Sequence, residues 1–516
     1  MIDDAARERE HDRSRTPWWT PHPVVLEINT WVWLGEIAER DGRTVRLGDV
    51  PPRDWDYLAA WGLDAVWLMG VWERSPLGRQ ITLADPVVMD ELRRALPGLT
   101  SDDVAGSPYS IRRYEVDARL GGRAGLAAAR AALAARGIAL ILDFVPNHVA
   151  PDHPWVAESP SFFIHGNAID LARAPDEFIA LGGVVLARGR DPWFQPWKDT
   201  VQLNAFDPGL RAAARATLLD IATQCDGVRC DMAMLVLSDV FGRTWAGRAG
   251  SPPAAEFWTE MIDPVRGARP DFRFIAEAYW EREWALQRLD FDWCYDKGLY
   301  DRLVTGDAES VVRDLRTEHE RGMRLVRFIE NHDEPRAAAM LPAGRHRAAT
   351  VIAGMQSGMR LFHEGQFEGR RVRIPVQLAR RPAEQPDEQI LLFHRRLLAT
   401  LRSRPLHEGE WRLCETAAWE DHIAHRHLVA WSWRVDAEWM LIVVNYSDAA
   451  ALGRVYLPWA EIGGRGWTLI DTLGDAPWDR DGLVVRDDGL LVELPPWGMH
   501  CFTATAVPAA TGARPA

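Results

Sequence analysis

Arg229 and Asp231 stand two residues apart in the stretch CDGVRCDMAM (residues 225–234). Small apolar Val228 and Cys230 alternate with them, the pattern of a short buried strand, so the two charged side chains point to the same side. A guanidinium favours the ionised form of a carboxylate beside it. An ionised, positioned carboxylate can act as a nucleophile at a sugar carbon. By themselves the two residues fit an architectural ion pair at least as well. Further acidic residues close other apolar runs: Asp143 with Asn147 and His148 in ILDFVPNH, Glu277 in FRFIAEAYW, and Asp333 beside Asn331 and His332 in RLVRFIENHD. Carboxylates gathered at one place are costly to bury without partners, and their mutual repulsion raises one pKa, which keeps a protonated acid available. A neutral acid, an ionised nucleophile and a third carboxylate that steadies positive charge are what retaining glycoside hydrolysis requires.

Bringing these residues together needs a scaffold that ends many strands on one face. Apolar strand-like runs at residues 24–33, 65–72, 138–148, 225–231, 272–280, 291–295, 324–333 and 359–366 alternate with helical stretches near residues 55–62, 125–136, 208–224, 254–265, 309–321, 345–357 and 388–401. Residues 73–108, with Gly78, Pro86, Pro97 and Gly98, read as a long loop. About eight strand–helix units predict an α/β fold, a (β/α)8 TIM barrel, with a doubly wound open sheet as the alternative. In such a barrel working residues lie at the C-terminal ends of strands. That places Asp143, Asn147 and His148 on the third strand, Arg229 and Asp231 on the fourth, Glu277 on the fifth, and His332 and Asp333 on the seventh.

The expected domains are a disordered N-terminal tail (1–16), a barrel (17–148 and 204–404), a short inserted domain after strand 3 (149–203, rich in Pro, Trp and Gly), a C-terminal all-β sandwich domain (405–506) and a disordered tail (507–516).

Composition narrows the function classes. The 516 residues carry a formal net charge of −14, which argues against nucleic acid or an anionic membrane surface as partner. Five scattered cysteines without a CxxC spacing indicate neither a disulfide framework nor a zinc site. The charged start MIDDAARERE lacks an apolar signal core, and no apolar run reaches membrane-spanning length, so a cytoplasmic location is expected. The 25 tryptophans suit pyranose faces but equally suit core packing. LGGRAGL (residues 120–126) reads as a helix start rather than a phosphate loop, and His422, His425 and His427 as a strand pair rather than a metal site.

Taken jointly, DFVPNH, GVRCD, FIAEAYW and ENHD resemble, in order and spacing, the four signature regions of the α-amylase family of retaining α-glucosidic enzymes. TVQLN resembles a fifth region, and GSPYSIRRY with VDARLGG the segment that carries a stacking tyrosine; the resemblance spans residues 24–404. It implies Asp231 as nucleophile, Glu277 as general acid/base and Asp333 as the carboxylate that stabilises the transition state. It further implies that Arg229 holds the nucleophile, that His148 and His332 bind the sugar, that Tyr109 lies beneath it, that Arg336 contributes to substrate binding, and that Asp143 and Asn147 are structural at the site.

Departures from the family pattern bear on substrate. Met234 and Leu235 replace a Lys-His pair that contacts the acceptor-side sugar, which implies an apolar acceptor region and disfavours long-chain starch hydrolysis. Gly106 stands where many relatives carry Asp before the tyrosine, and Gln202 where many carry a calcium-ligating aspartate. Asn147 alone would not hold an ion that wants six to eight oxygens, so no cofactor or metal is expected, with calcium the one alternative left open. APDHPWV (residues 150–156) resembles a loop of maltosyltransferases that use sugar phosphates. The expected partner is an α-glucoside or maltooligosaccharide. Hydrolase, transglycosylase, sugar phosphorylase and maltosyltransferase remain open, as does oligomeric state. A catalytically inactive carbohydrate-binding relative would need a lost carboxylate, and all three are present.

Overall fold

The structure, a computed structural model, describes residues 19–317, 322–421, 423–474 and 477–507. The expected tails, 1–16 and most of 507–516, lie outside the described residues, as does His422.

Eight parallel strands close into a barrel: β1 (Val24–Asn29), β2 (Ala65–Met69), β3 (Ala139–Phe144), β4 (Gly227–Cys230), β5 (Arg273–Ala276), β6 (Trp293–Tyr295), β7 (Leu325–Arg327) and β8 (Met359–His363), with β8 paired to β1. The closed ring excludes the doubly wound open sheet. Alternation sorts each strand into two faces. On β1, Val24, Leu26 and Ile28 join the outer core under the helices, while Val25 joins the inner cluster with Trp67, Ile141, Ile275 and Tyr295. Glu27 shares that inner face, fully buried. Register places Arg229 of β4 beside Asp143 of β3 and Ile275 of β5.

Two element expectations need correction. Residues 24–33 are not one strand: β1 ends at Asn29, whose side chain accepts from the Val32 N–H and caps helix Thr30–Asp41. The expected loop at 73–108 contains helices Pro76–Ala84 and Pro86–Ala95. Ser75 and Asp85 cap them, and both prolines occupy first-turn positions where no N–H is needed, so they start helices rather than break them.

The segment between β3 and helix Pro208–Gln224 forms a small unit of its own. Strand His148–Val149 pairs with Val201–Gln202, Phe178–Leu181 pairs with Val184–Ala187, and Val149, Phe163, Leu186, Val201 and Leu203 form its core. C-terminal to the barrel, a six-stranded and a three-stranded antiparallel sheet enclose a further core that includes Trp439, Trp467 and Val492. The indole N–H groups of Trp431 and Trp433 both donate to the Met355 carbonyl (3.0 and 2.9 Å), which ties this sandwich to the end of barrel helix Ala343–Gly354. Gly122 opens helix Gly122–Ala134, as expected, whereas His425 and His427 lie in the turn Ile423–His427, ahead of strand Leu428–Val435, and not on the expected strand pair. No group of metal-ligating side chains is found among the described residues. All five cysteines are buried and free.

Candidate active site

The ends of β4 and β5 are joined by backbone and by charge. The Asp231 N–H donates to the Phe144 carbonyl (2.8 Å) and the Glu277 N–H to the Cys230 carbonyl (3.0 Å), so strand pairing continues one residue past each strand and fixes both carboxylates. Between them lies Arg229, 1% exposed. Its Nη1 is 2.6 Å from Asp231 Oδ1, and its Nη2 is 2.8 Å from Glu277 Oε2. Asp143 Oδ1 lies further off, 3.8 Å from Nη1. The rings of Trp67, Tyr109 and Tyr295 surround the guanidinium at 5.2, 5.2 and 5.8 Å, excluding water from the charge cluster and adding cation–π attraction.

Met232 follows Asp231 with φ 43° and ψ 47°, a left-handed conformation uncommon for a residue with a side chain. That twist directs its N–H to Glu277 Oε2 at 2.6 Å, and the next N–H, of Ala233, to the Glu277 carbonyl at 3.0 Å. The Tyr279 hydroxyl donates to the other oxygen, Oε1, at 2.9 Å. Burial raises the Glu277 carboxyl, Arg229 opposes this, and Asp231 and Asp333 add to it, leaving it at about 7. A carboxyl poised there can give and take a proton near neutrality.

Asp333 faces this pair from the loop after β7. The Asn331 side chain accepts from the N–H groups of Asp333 and Glu334 (3.0 and 2.9 Å), a turn that presents the carboxylate. Its side chain is 49% exposed at the barrel mouth. The protein around it works against ionisation, but His332 first, then Arg229 and Arg373, outweigh this and hold the group at about 2. His332 sits between two acids: Nε2 is 3.0 Å from Asp333 Oδ2 and Nδ1 is 2.5 Å from Glu27 Oε1. Burial disfavours its charged form, yet Asp333 and Glu27 raise it well above an ordinary histidine. Tyr109 stacks on His332, with centroids 5.4 Å apart and planes at 26°, and its hydroxyl lies 2.9 Å from Nε2.

The structure therefore brings together Asp231, Glu277, Asp333, Arg229, His332, Tyr109 and Asp143. Burial pushes the Asp143 carboxyl up to about 6 against the pull of Arg229, and its Oδ2 accepts from the Gly70 N–H (3.3 Å). His148 is buried against Trp197 (4.9 Å between centroids) and held neutral by burial, opposed by the nearby Asp231 charge and the Tyr109 backbone. Arg336 is placed elsewhere. It is 1% exposed, and Nη1 is engaged by Glu330 (2.7 Å), the Glu364 carbonyl (2.8 Å) and His363 (2.9 Å). Nη1 and Nε, the latter 3.4 Å from the Val372 carbonyl, are thus held by groups other than Asp231, Glu277 and Asp333.

Met234 and Leu235 also differ from expectation. They are 0% and 3% exposed, turned into the core, so they do not make an apolar acceptor surface. Gly106 has a φ of 88°, a conformation that residues with a side chain rarely adopt. Glu27 and Tyr279 are the site residues that the sequence reading missed. One signal was available for Glu27, a lone charge inside the apolar run VVLEIN, because a buried carboxylate requires a partner.

The calcium alternative can be tested on the oxygens at the foot of the inserted unit. Gln202 Nε2 lies 2.8 Å from the Asn147 carbonyl, 2.9 Å from Asn147 Oδ1 and 3.0 Å from the Leu203 carbonyl. The two N–H bonds of the Gln202 amide point into this cluster of three oxygens, where a cation would have to sit, so these residues do not fit an ion.

No family model matches the chain. The α-amylase MalA of Haloarcula japonica is 26% identical to it over 390 residues, which cover 71% of this chain and 47% of that protein, so the chain spans about half the length of this relative. Among solved structures, the maltogenic α-amylase AmyB from Thermotoga neapolitana superposes with a TM-score of 0.68 at 17% identity, covering 94% of this chain and 98% of the other. An α-amylase from Lactobacillus plantarum superposes with 0.64 at 19% identity, covering 94% and 99%. At such identities the structures speak to the fold.

Proposed function

We propose that the chain is a member of the α-amylase family of glycoside hydrolases and a retaining enzyme, a reading supported by its similarity to MalA and by the shared fold. It cleaves or transfers α-glucosidic linkages of oligosaccharides through a covalent glycosyl-aspartate. The observation that carries this reading is the single Arg229 guanidinium holding Asp231 and Glu277 on neighbouring nitrogens. Retention needs a nucleophile and an acid/base roughly 5–5.5 Å apart, and two carboxylates sharing one guanidinium are held at short range.

Glu277 protonates the glycosidic oxygen as its bond to the anomeric carbon breaks, and an Asp231 oxygen bonds to that carbon. Asp333, ionised and anchored by His332, steadies the oxocarbenium-like charge. Water or a second sugar then gives a proton to Glu277 as its oxygen displaces Asp231.

The oxygens around Gln202 support a site that works without a metal ion. Five free, buried cysteines support a reducing, cytoplasmic setting. No helix among the described residues is long and apolar enough to cross a membrane.

The test is product analysis with maltooligosaccharides, trehalose, sucrose and maltose 1-phosphate, with and without phosphate, following the anomer by proton NMR. An α-anomeric first product supports the reading. A β-anomeric first product, or no turnover of any α-glucoside, refutes it.

A further inference from the structure

Glu277 presents two unlike oxygens. Oε2 accepts from the Met232 N–H at 2.6 Å and lies 2.8 Å from Nη2 of Arg229. Both groups are fixed, one on a left-handed backbone turn and one on a buried guanidinium that forms an ion pair with Oε2. A proton on Oε2 would face the Met232 N–H and the positive charge, so the proton of the neutral acid belongs on Oε1. Among the described residues, the hydrogen-bond partner of Oε1 is the Tyr279 hydroxyl, at 2.9 Å. That phenol packs against the barrel core, and burial, then Glu277 and Asp333, hold it well above an ordinary tyrosine. It stays protonated, able both to donate and to accept.

We infer that Tyr279 is a positioning residue for the acid/base, reserving Oε1 as the proton-carrying oxygen of Glu277 and exchanging donor and acceptor roles with it as the proton leaves and returns. In the resting enzyme the Oε1–H group is shared with the Tyr279 oxygen. When a glycosidic oxygen arrives, the Oε1–H bond breaks and its proton moves to that oxygen. The C–O bond breaks with its electron pair on the leaving group, and Asp231 bonds to the anomeric carbon. Tyr279 then donates to the new carboxylate. In the second half the attacking oxygen's proton returns to Oε1, the bond to Asp231 breaks, and Tyr279 ends unchanged. The inference rests on the reading of Glu277 as acid/base.

The groups facing Glu277 are Arg229 and Asp231 from the end of β4, Tyr295 from β6, Asp333 from the loop after β7, and Tyr279 itself. Of these, Arg229 and Tyr279 favour the carboxylate, the latter because donating to the ionised form is a stronger contact than accepting from the neutral acid. Removing the hydroxyl leaves the two neighbouring carboxylates less opposed.

The test is a carbon-13 NMR titration of protein labelled at the glutamate side-chain carboxyl, with the Glu277 signal identified by its loss in Glu277→Gln. In Tyr279→Phe the midpoint is expected to rise by about one pH unit, a tenfold change in proton affinity. Tyr279→Leu, which also removes the donor, serves if the first variant does not fold. An unchanged or lower midpoint in a folded variant overturns the inference. The titration is read without substrate, so its failure and that of the proposed activity are seen separately. With substrate, the alkaline limb of kcat/KM should move upward with the midpoint. Turnover of α-glucosyl fluoride, whose leaving group needs no proton, should be spared in its first step; an unmoved alkaline limb counts against the positioning role.

Discussion

Nη1 of Arg229 and Oδ1 of Asp231 lie 2.6 Å apart, two residues along one strand and both buried. The same guanidinium reaches Glu277 with its other terminal nitrogen. A lysine has one charged nitrogen and cannot span two carboxylates as a planar fork does. Arg229→Lys should therefore lower kcat about 100-fold or more, in line with losing a preorganised electrostatic contact. Steady-state kinetics on a variant of native circular dichroism checks this; near-normal kcat would show that the bridge does not organise the site.

In the proposed mechanism Glu277 sets the pH dependence. Its carboxyl stands at about 7, above the ordinary value, so the acid is protonated below that pH and lost above it. kcat/KM is expected to fall on the alkaline side with a midpoint near 7. The same raised value means that its contribution to folding stability is present below the ordinary glutamate range and lost as pH rises through about 7. Glu277→Gln should accordingly abolish activity yet melt higher than the parent at pH 8, by differential scanning calorimetry.

Glu27 holds His332 from inside the barrel, at 2.5 Å. Replacing it by the neutral Glu27→Gln keeps shape and removes one of the two acids that keep His332 charged. The expected result is a drop of about tenfold in kcat/KM, the cost of weakening one charge-assisted contact, and a His332 titration at lower pH by proton NMR. An unchanged His332 titration would remove Glu27 from the site.

The Gln202 amide nitrogen lies within 3.0 Å of three oxygens at the foot of the inserted unit, an arrangement that does not fit a cation. Chelation with EDTA should leave activity and melting temperature unchanged. Gln202→Ala should destabilise the protein by about 1–3 kcal/mol in a chemical-denaturation titration, because a buried cluster of oxygens loses the amide that donates into it. A large loss of stability on chelation would contradict this role for the amide.

Much of the site was legible because its residues sit at or past strand ends. Asp231 and Glu277 directly follow apolar runs, Asp333 lies in the polar segment after one, and period-two alternation alone puts Arg229 and Asp231 on one face. Tertiary pairing is what the sequence hid. Arg336 follows the ENHD segment closely but is drawn inward by Glu330. Met234 and Leu235 turn into the core through the tight turn that follows Met232. The two helices in residues 76–95 were obscured because proline marks a helix start as readily as a break, and only the preceding Ser75 and Asp85 separate the two cases.

The central claim is that Asp231 forms a covalent bond to sugar. Incubation with 5-fluoro-α-D-glucosyl fluoride, followed by intact mass and peptide mapping, tests it most directly. The expected result is one added fluoroglucosyl unit on the peptide that contains Asp231, absent in Asp231→Asn. Turnover of the reagent with the adduct on another residue, or with inversion and no adduct, would contradict it.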